Sequence, residues 1–195
     1  MNEFSLAALG LFAAVAPAGA LPAFALRARN ADAVQRTGLA ALIGLIAFAL
    51  LAGTAALGDP FLDWLDISPE NFQLAAAIVM LPLALRLLWS GESMTLPREE
   101  VGDPPWRVWL TPLTVPLVAG PASLVAALSY GTRFGIEPTL GAAAFVLALT
   151  ALAFAAAPQL RRSLGALGIS ALGRLSGVLL VVVAIELLVD GVQSV

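Results

Sequence analysis

Cysteine and histidine are both missing from the chain. Their absence excludes disulfides, thiolate and imidazole metal ligation, Cys/His nucleophilic catalysis and any histidine proton relay. Lysine is missing as well, so all 10 basic side chains are arginines and a Ser–Lys catalytic pair is excluded too. Charge of either sign is scarce: 12% of the 195 residues are charged, about half the share of a soluble domain. No aspartate pair lies within an apolar stretch, so an enzyme is not expected and no metal site is assigned. A net charge of -3 without a basic run leaves no electrostatic footprint for nucleic acid. What remains is apolar, with 60% hydrophobic residues and a mean hydropathy of +0.94. These residues fall in long blocks, where a soluble fold would show half-faces. The composition describes an all-α, polytopic membrane protein whose immediate partner is the lipid bilayer.

A helix needs about 20 apolar residues to cross the hydrocarbon core. Six stretches qualify: 5–26, 38–57, 72–89, 108–130, 139–157 and 172–189. The connections between them are rich in charge, Gly and Pro, and the longest, 90–107, is the seam between two halves. Ala18-Gly19-Ala20 imitates a signal-cleavage site. The N-terminus, however, carries Glu3 where a signal has a basic region, so the first span is expected to stay. Arg27, Arg29, Arg36, Arg98, Arg107, Arg161, Arg162 and Arg174 lie in or beside the odd loops, against Arg133 alone in the even ones. The positive-inside rule then makes the odd loops cytoplasmic and sends both termini outward from the inner membrane. Trp64, Trp89, Trp106 and Trp109 suit aromatic anchors at the two interfaces. Arg86, near the cytoplasmic end of the third span, snorkels to the headgroups.

Two spans are interrupted at matching places. Ala16-Pro17-Ala18-Gly19-Ala20-Leu21 sits mid-span in the first, and Gly120-Pro121-Ala122-Ser123-Leu124-Val125 in the fourth. Proline removes an amide donor and clashes with the preceding turn. Inside a bilayer such a break is tolerated only where protein or a polar cavity satisfies the freed groups. Pro17 and Pro121 are 104 residues apart, and the ends of the third and sixth spans match at an offset of 100. Three helices per half means that the second half is inverted. The expected architecture is thus a 3+3 inverted repeat, residues 1–97 and 98–195 within one membrane domain, with helices 1 and 4 broken at Pro17 and Pro121. Paired breaks of this kind point to a transporter that works by alternating access, its substrate lying between the repeats. Glu186, inside the sixth span, is an intramembrane acid and hence a candidate for coupling to a cation.

Several segments resemble the MarC family of bacterial and archaeal inner-membrane proteins, over essentially the full length. Pro112-Leu113-Thr114-Val115-Pro116-Leu117-Val118-Ala119-Gly120-Pro121 is similar to the family's Pro-Leu-x-x-Pro-Leu-x-x-Gly-Pro-Gly. The first helix, with Pro17, Gly19, Pro22 and Phe24, looks like its Asn-Pro-hydrophobic-Gly segment, with Ala16 in place of the Asn. Ala122 likewise replaces the Gly after Pro121. Leu57-Gly58-Asp59-Pro60-Phe61-Leu62 is similar to its second loop, and Arg174-Leu175-Ser176-Gly177 to its last helix. The resemblance implies a fold related to the LysE exporter superfamily. It also implies transport of small neutral amino acids, of the alanine and glycine class, coupled to a cation gradient of Na+ or H+.

A zwitterionic substrate suits the interrupted segments. Half-helix N-termini offer unpaired amides to its carboxylate, and half-helix C-termini offer carbonyls to its ammonium or to a sodium ion. The substrate-binding candidates are therefore Ala16, Pro17, Ala18, Gly19, Gly120, Pro121, Ala122 and Ser123, with Glu186 for coupling. The alternatives are export of another small solute or a cation, or a non-transporting structural or regulatory role. A homo-oligomer is compatible with all of them, and no cofactor beyond the coupling ion is implied.

Overall fold

The computed structural model describes residues 2–28, 31–90 and 118–193. Its regular elements are all helices: α1 (Glu3–Val15), α2 (Pro17–Arg27), α3 (Ala33–Trp64), α4 (Pro69–Ser90), α5 (Pro121–Phe134), α6 (Ile136–Ala155) and α7 (Ala157–Gln193). Among the described residues five stretches are long and apolar enough to cross a membrane: Glu3–Leu21, Ala33–Gly58, Glu70–Ser90, Ile136–Ala155 and Leu167–Gln193. The first ten residues of the expected span 108–130 lie outside the described residues. So do most of the seam, the boundary at 97 and 98, and Trp106 and Trp109.

Local chemistry explains most of the boundaries. The Asn2 carboxamide accepts from the Ser5 amide at 3.0 Å and caps α1. Pro17 and Pro121 each stand in the first turn of their helix, where the missing N–H would be unpaired anyway. Gly135 adopts φ 89, a left-handed conformation open to glycine. It lets α6 start directly after α5, while its amide donates to the Gly131 carbonyl at 3.0 Å. Gly165, at φ 65 and ψ 179, bends α7 and sets a short first segment off from the long apolar one.

Two connections are more helical than their composition predicts. Helix α3 runs on through Gly58 and Pro60 to Trp64. Its 32 residues extend about 48 Å, well beyond a hydrocarbon core of about 30 Å. Pro60 removes one helical donor, while Leu62, just beyond it, is buried and holds the last turn against the bundle. The fifth connection is helical as well, as the first segment of α7.

Lipid tails are as apolar as leucine, so close backbone approach and van der Waals packing must hold such helices together. Glycine supplies that approach. Gly177 of α7 lies against the backbone of Leu87 and Leu88, and Gly191 against Leu74, so α4 and α7 run antiparallel. Gly131 of α5 meets the Ala55 backbone and Gly58 meets Leu128, an antiparallel pairing of α3 with α5. Gly10 of α1 accommodates the Tyr130 ring of α5. Arg36 Nε donates to the Ala155 carbonyl at 2.9 Å and ties the start of α3 to the end of α6. Phe24 of α2 stacks on Phe154 of α6 at 4.5 Å between ring centres. The interior is largely alanine, valine and leucine, whereas Leu45, Phe145, Leu152 and Val182 face outward. Trp64 and Trp89, at the C-terminal ends of α3 and α4, are 78% and 76% exposed, as interfacial anchors require.

Candidate functional site

The chain turns sharply at the first interruption. Helix α1 stops at Val15, Ala16 takes φ 46 and ψ 59, and α2 begins at Pro17. Pro17 has no amide to donate, so the α1 ladder loses a bond there, and the left-handed Ala16 ends the helix. The Ala16 amide donates back to the Phe12 carbonyl. The Ala16 carbonyl in turn accepts from Gly19 at 2.9 Å and from Ala20 at 3.3 Å. Ala18 is left as a first-turn amide that its own helix cannot pair. On the other side of the turn, the last carbonyls of α1 after Phe12 belong to Ala13, Ala14 and Val15, all three residues buried. A negative helix end and a positive one therefore adjoin each other at one buried residue.

At the second interruption Val118 and Ala119 are buried and Gly120 is extended, with φ -85 and ψ 174, before α5 starts at Pro121. Ser123 is fully buried. Its hydroxyl is 2.9 Å from the Val118 carbonyl and 3.0 Å from that of Gly120. One hydroxyl proton is shared between two carbonyls just ahead of α5, which helps to satisfy buried backbone away from water. The Ser123 oxygen keeps its lone pairs as acceptors. Leu124 donates to Gly120 at 3.0 Å, and Ala122 is a further first-turn amide.

The two segments share one buried cluster: Ala14, Val15, Ala20 and Leu21 from the first, Val118, Ala119 and Ala122 from the second. Glu186 is not with them. It stands on α7, 3.6 Å from Arg133 Nη1 of α5, and the same nitrogen lies 2.9 Å from Asp190 Oδ2. All three side chains are about half exposed. Arg133 is ten residues from Ser123 along α5, about 15 Å of helix. Between α4, α5 and α7 this end of the bundle opens a cleft of about 340 Å³ lined by Gln73, Thr132, Arg133, Asp190 and Gln193. Arg133 and Asp190 did not stand out in the sequence. The only available signal was that Arg133 is the lone arginine of the even loops, and that Glu186 and Asp190 are spaced i, i+4 on one helix face.

Apolar spans, glycine-mediated helix contacts and a buried turn made of backbone together define a polytopic helical membrane protein. The chain belongs to the MarC family: the model described as MarC family integral membrane protein matches residues 1–195. Among its relatives is the UPF0056 membrane protein YhcE of Escherichia coli K12, 30% identical over 96% of this chain and 90% of that protein. A UPF0056 membrane protein of Methanocaldococcus jannaschii is 27% identical over 100% of this chain and 98% of its own. The UPF0056 inner membrane protein YhgN of Escherichia coli K12 is 28% identical over 99% and 98%. No solved structure matches the chain.

Proposed function

We propose that this MarC family membrane protein is a secondary transporter of small neutral amino acids, alanine and glycine in class, working by alternating access. The observation that carries this reading is the buried turn at Ala16 and Pro17, whose neighbours Val15 and Ala20 belong to the core of the bundle, as do Val118, Ala119 and Ala122 around Gly120 and Pro121. The amides of Ala18 and Ala122 and the positive ends of α2 and α5 are suited to the substrate carboxylate. The carbonyls of Ala13, Ala14 and Val15 are suited to its ammonium or to sodium. Ala16, Pro17, Gly19, Gly120 and Pro121 shape the turns, and Ser123 holds the second one together. Side chains no larger than alanine flank both prolines, which suits a small substrate. No charged side chain is needed at either turn.

An inverted repeat supports alternating access, and the packing favours one. At the offset of 104 residues set by the two prolines, Gly44 corresponds to Ala148. Both line one groove between α3 and α6. Equivalent positions of two helices meet only near a two-fold axis. The contacts of Gly177 with Leu87 and Leu88, and of Gly191 with Leu74, make α4 and α7 antiparallel, as an axis in the membrane plane requires. We take the repeats as 1–97 and 98–195, with both termini outside. Glu186 is our candidate for proton coupling, because protonation discharges its pairing with Arg133.

The test is flux of labelled alanine and glycine into proteoliposomes, with and without sodium and proton gradients. Gradient-driven uptake of both is the expected result. Absence of uptake under every gradient from correctly inserted protein overturns the proposal.

A further inference from the structure

We propose that the cleft at the Arg133 end of the bundle is an entry subsite for a small zwitterion, and that the Arg133–Glu186–Asp190 ion pairs are the gate between this subsite and the interrupted segments. The inference rests on the reading above that the path runs through those segments.

Four positions of α5 carry it. Ala122, Ala126, Ser129 and Arg133 are spaced four, three and four residues apart, which puts them on one face of a helix. From Ala122 to Arg133 this face spans about 16 Å, half the hydrocarbon thickness of about 30 Å. It therefore leads from the second turn to the end of the bundle. Ala122 and Ala126 are buried and small. Ser129, one turn below Arg133, is 5% exposed, and among the described residues its hydroxyl has no hydrogen-bond partner. A buried hydroxyl without a partner is costly. On a route for a polar solute it is a place to bind.

Above it the chemistry is that of a zwitterion already paired with itself. Arg133 Nη1 contacts Asp190 at 2.9 Å and Glu186 at 3.6 Å, joining α5 to α7 across the cleft. An incoming amino acid offers both replacements at once, its carboxylate to the guanidinium and its ammonium to the two carboxylates. Exchange of partners parts α5 from α7 without leaving either charge unpaired. The next polar position down this face of α5 is Ser129. A bare cation satisfies only the carboxylate side of the exchange, and an uncharged solute satisfies neither. The gate is thereby selective for zwitterions before the interrupted segments are reached.

The absence of cysteine makes a direct test available. Ser129→Cys introduces the single thiol of the protein, and its labelling rate by membrane-impermeant methanethiosulfonates reports access. Reagents of both charge signs are used, so that a change in local potential moves their rates in opposite directions while an opened gate raises both. Two half-exposed ion pairs bias an equilibrium by about thirtyfold at most. Arg133→Gln is therefore expected to speed labelling by both reagents by about fivefold to tenfold. The double exchange Arg133→Asp with Asp190→Arg is expected to restore slow labelling, which separates an electrostatic gate from a packing defect. Alanine is expected to change the rate in the wild-type background and not in Arg133→Gln. Equal labelling in all backgrounds overturns the gate, whether or not alanine is transported. Faster labelling in Arg133→Gln without alanine flux in any protein supports the gate and removes the amino-acid reading beneath it.

Discussion

Ala16 occupies a backbone conformation that costs it free energy, and that cost is open to measurement. At φ 46 and ψ 59 it is left-handed and not a glycine. For a residue with a Cβ this region costs about 1–2 kcal/mol, and the following proline narrows the choice further. Asn visits the region more readily than other non-glycine residues, and it is the residue that the similar family segment carries here. As the residue before α2, its carboxamide also accepts from a first-turn amide, worth about 1 kcal/mol over alanine. Ala16→Asn is therefore expected to stabilise the protein by about 1–2 kcal/mol. Ala16→Gly should gain less, since glycine adds about 0.5–1 kcal/mol of chain entropy to the unfolded side. Ala16→Val should lose about 2 kcal/mol, because β-branching is least tolerated at positive φ. Thermal unfolding in detergent reads these differences as shifts of about 2–4 °C per kcal/mol for a chain of this size. If Ala16→Asn has no effect and Ala16→Val is neutral, Ala16 is not left-handed and the turn is not as described.

Three further predictions follow from the packing and the charge pattern. A Cβ at Gly177 would stand 2.5 Å from the Leu88 amide nitrogen. Gly177→Ala must push α4 and α7 apart at about 1–3 kcal/mol, whereas Gly53→Ala meets nothing within 4 Å and should be neutral or gain up to about 1 kcal/mol. Parallel melting curves in detergent compare the two. Ser123→Ala strips the hydroxyl donor from the buried Val118 carbonyl, while that of Gly120 keeps the Leu124 amide, and should cost about 1–3 kcal/mol. Ser176→Ala removes only an added bond to the Leu172 carbonyl of its own helix and should stay within about 0.5 kcal/mol. Tags at either terminus should react with impermeant reagents from outside, because the arginines favour cytoplasmic odd loops; protection of either tag until the membrane is opened contradicts that topology.

The first turn was signalled by Pro17, which has no amide to continue the α1 ladder, but proline alone does not decide it, since α3 runs on through Pro60 and α4 through Pro82. Five of the six expected spans were legible because length and apolarity are properties of a segment alone. What was not legible depends on partners remote in sequence. Arg133 and Asp190 are 57 residues apart, and only the packing of both α5 and α7 against α4 brings them within reach of each other. Glu186 looked like an isolated intramembrane acid for the same reason, its partner being on another helix. The run of α3 through Pro60 was masked by local signals. Gly-Asp-Pro reads as a turn, yet burial of Leu62 keeps the backbone helical. The bend at Gly165 was hidden in a connection that looked irregular throughout.

If backbone at the two turns holds the substrate, bulk at Gly120 must block it, and Gly120→Val introduces that bulk. Gly120 is buried and extended, at φ -85 and ψ 174, a conformation that valine also adopts, so the added bulk acts on space and not on backbone geometry. Uptake of labelled alanine is measured in proteoliposomes, with insertion and melting temperature checked on the same preparation. The wild type is expected to show gradient-driven uptake, and a folded, inserted Gly120→Val only background uptake. Equal uptake by the two would contradict backbone binding at the turns and put the substrate path elsewhere in the bundle.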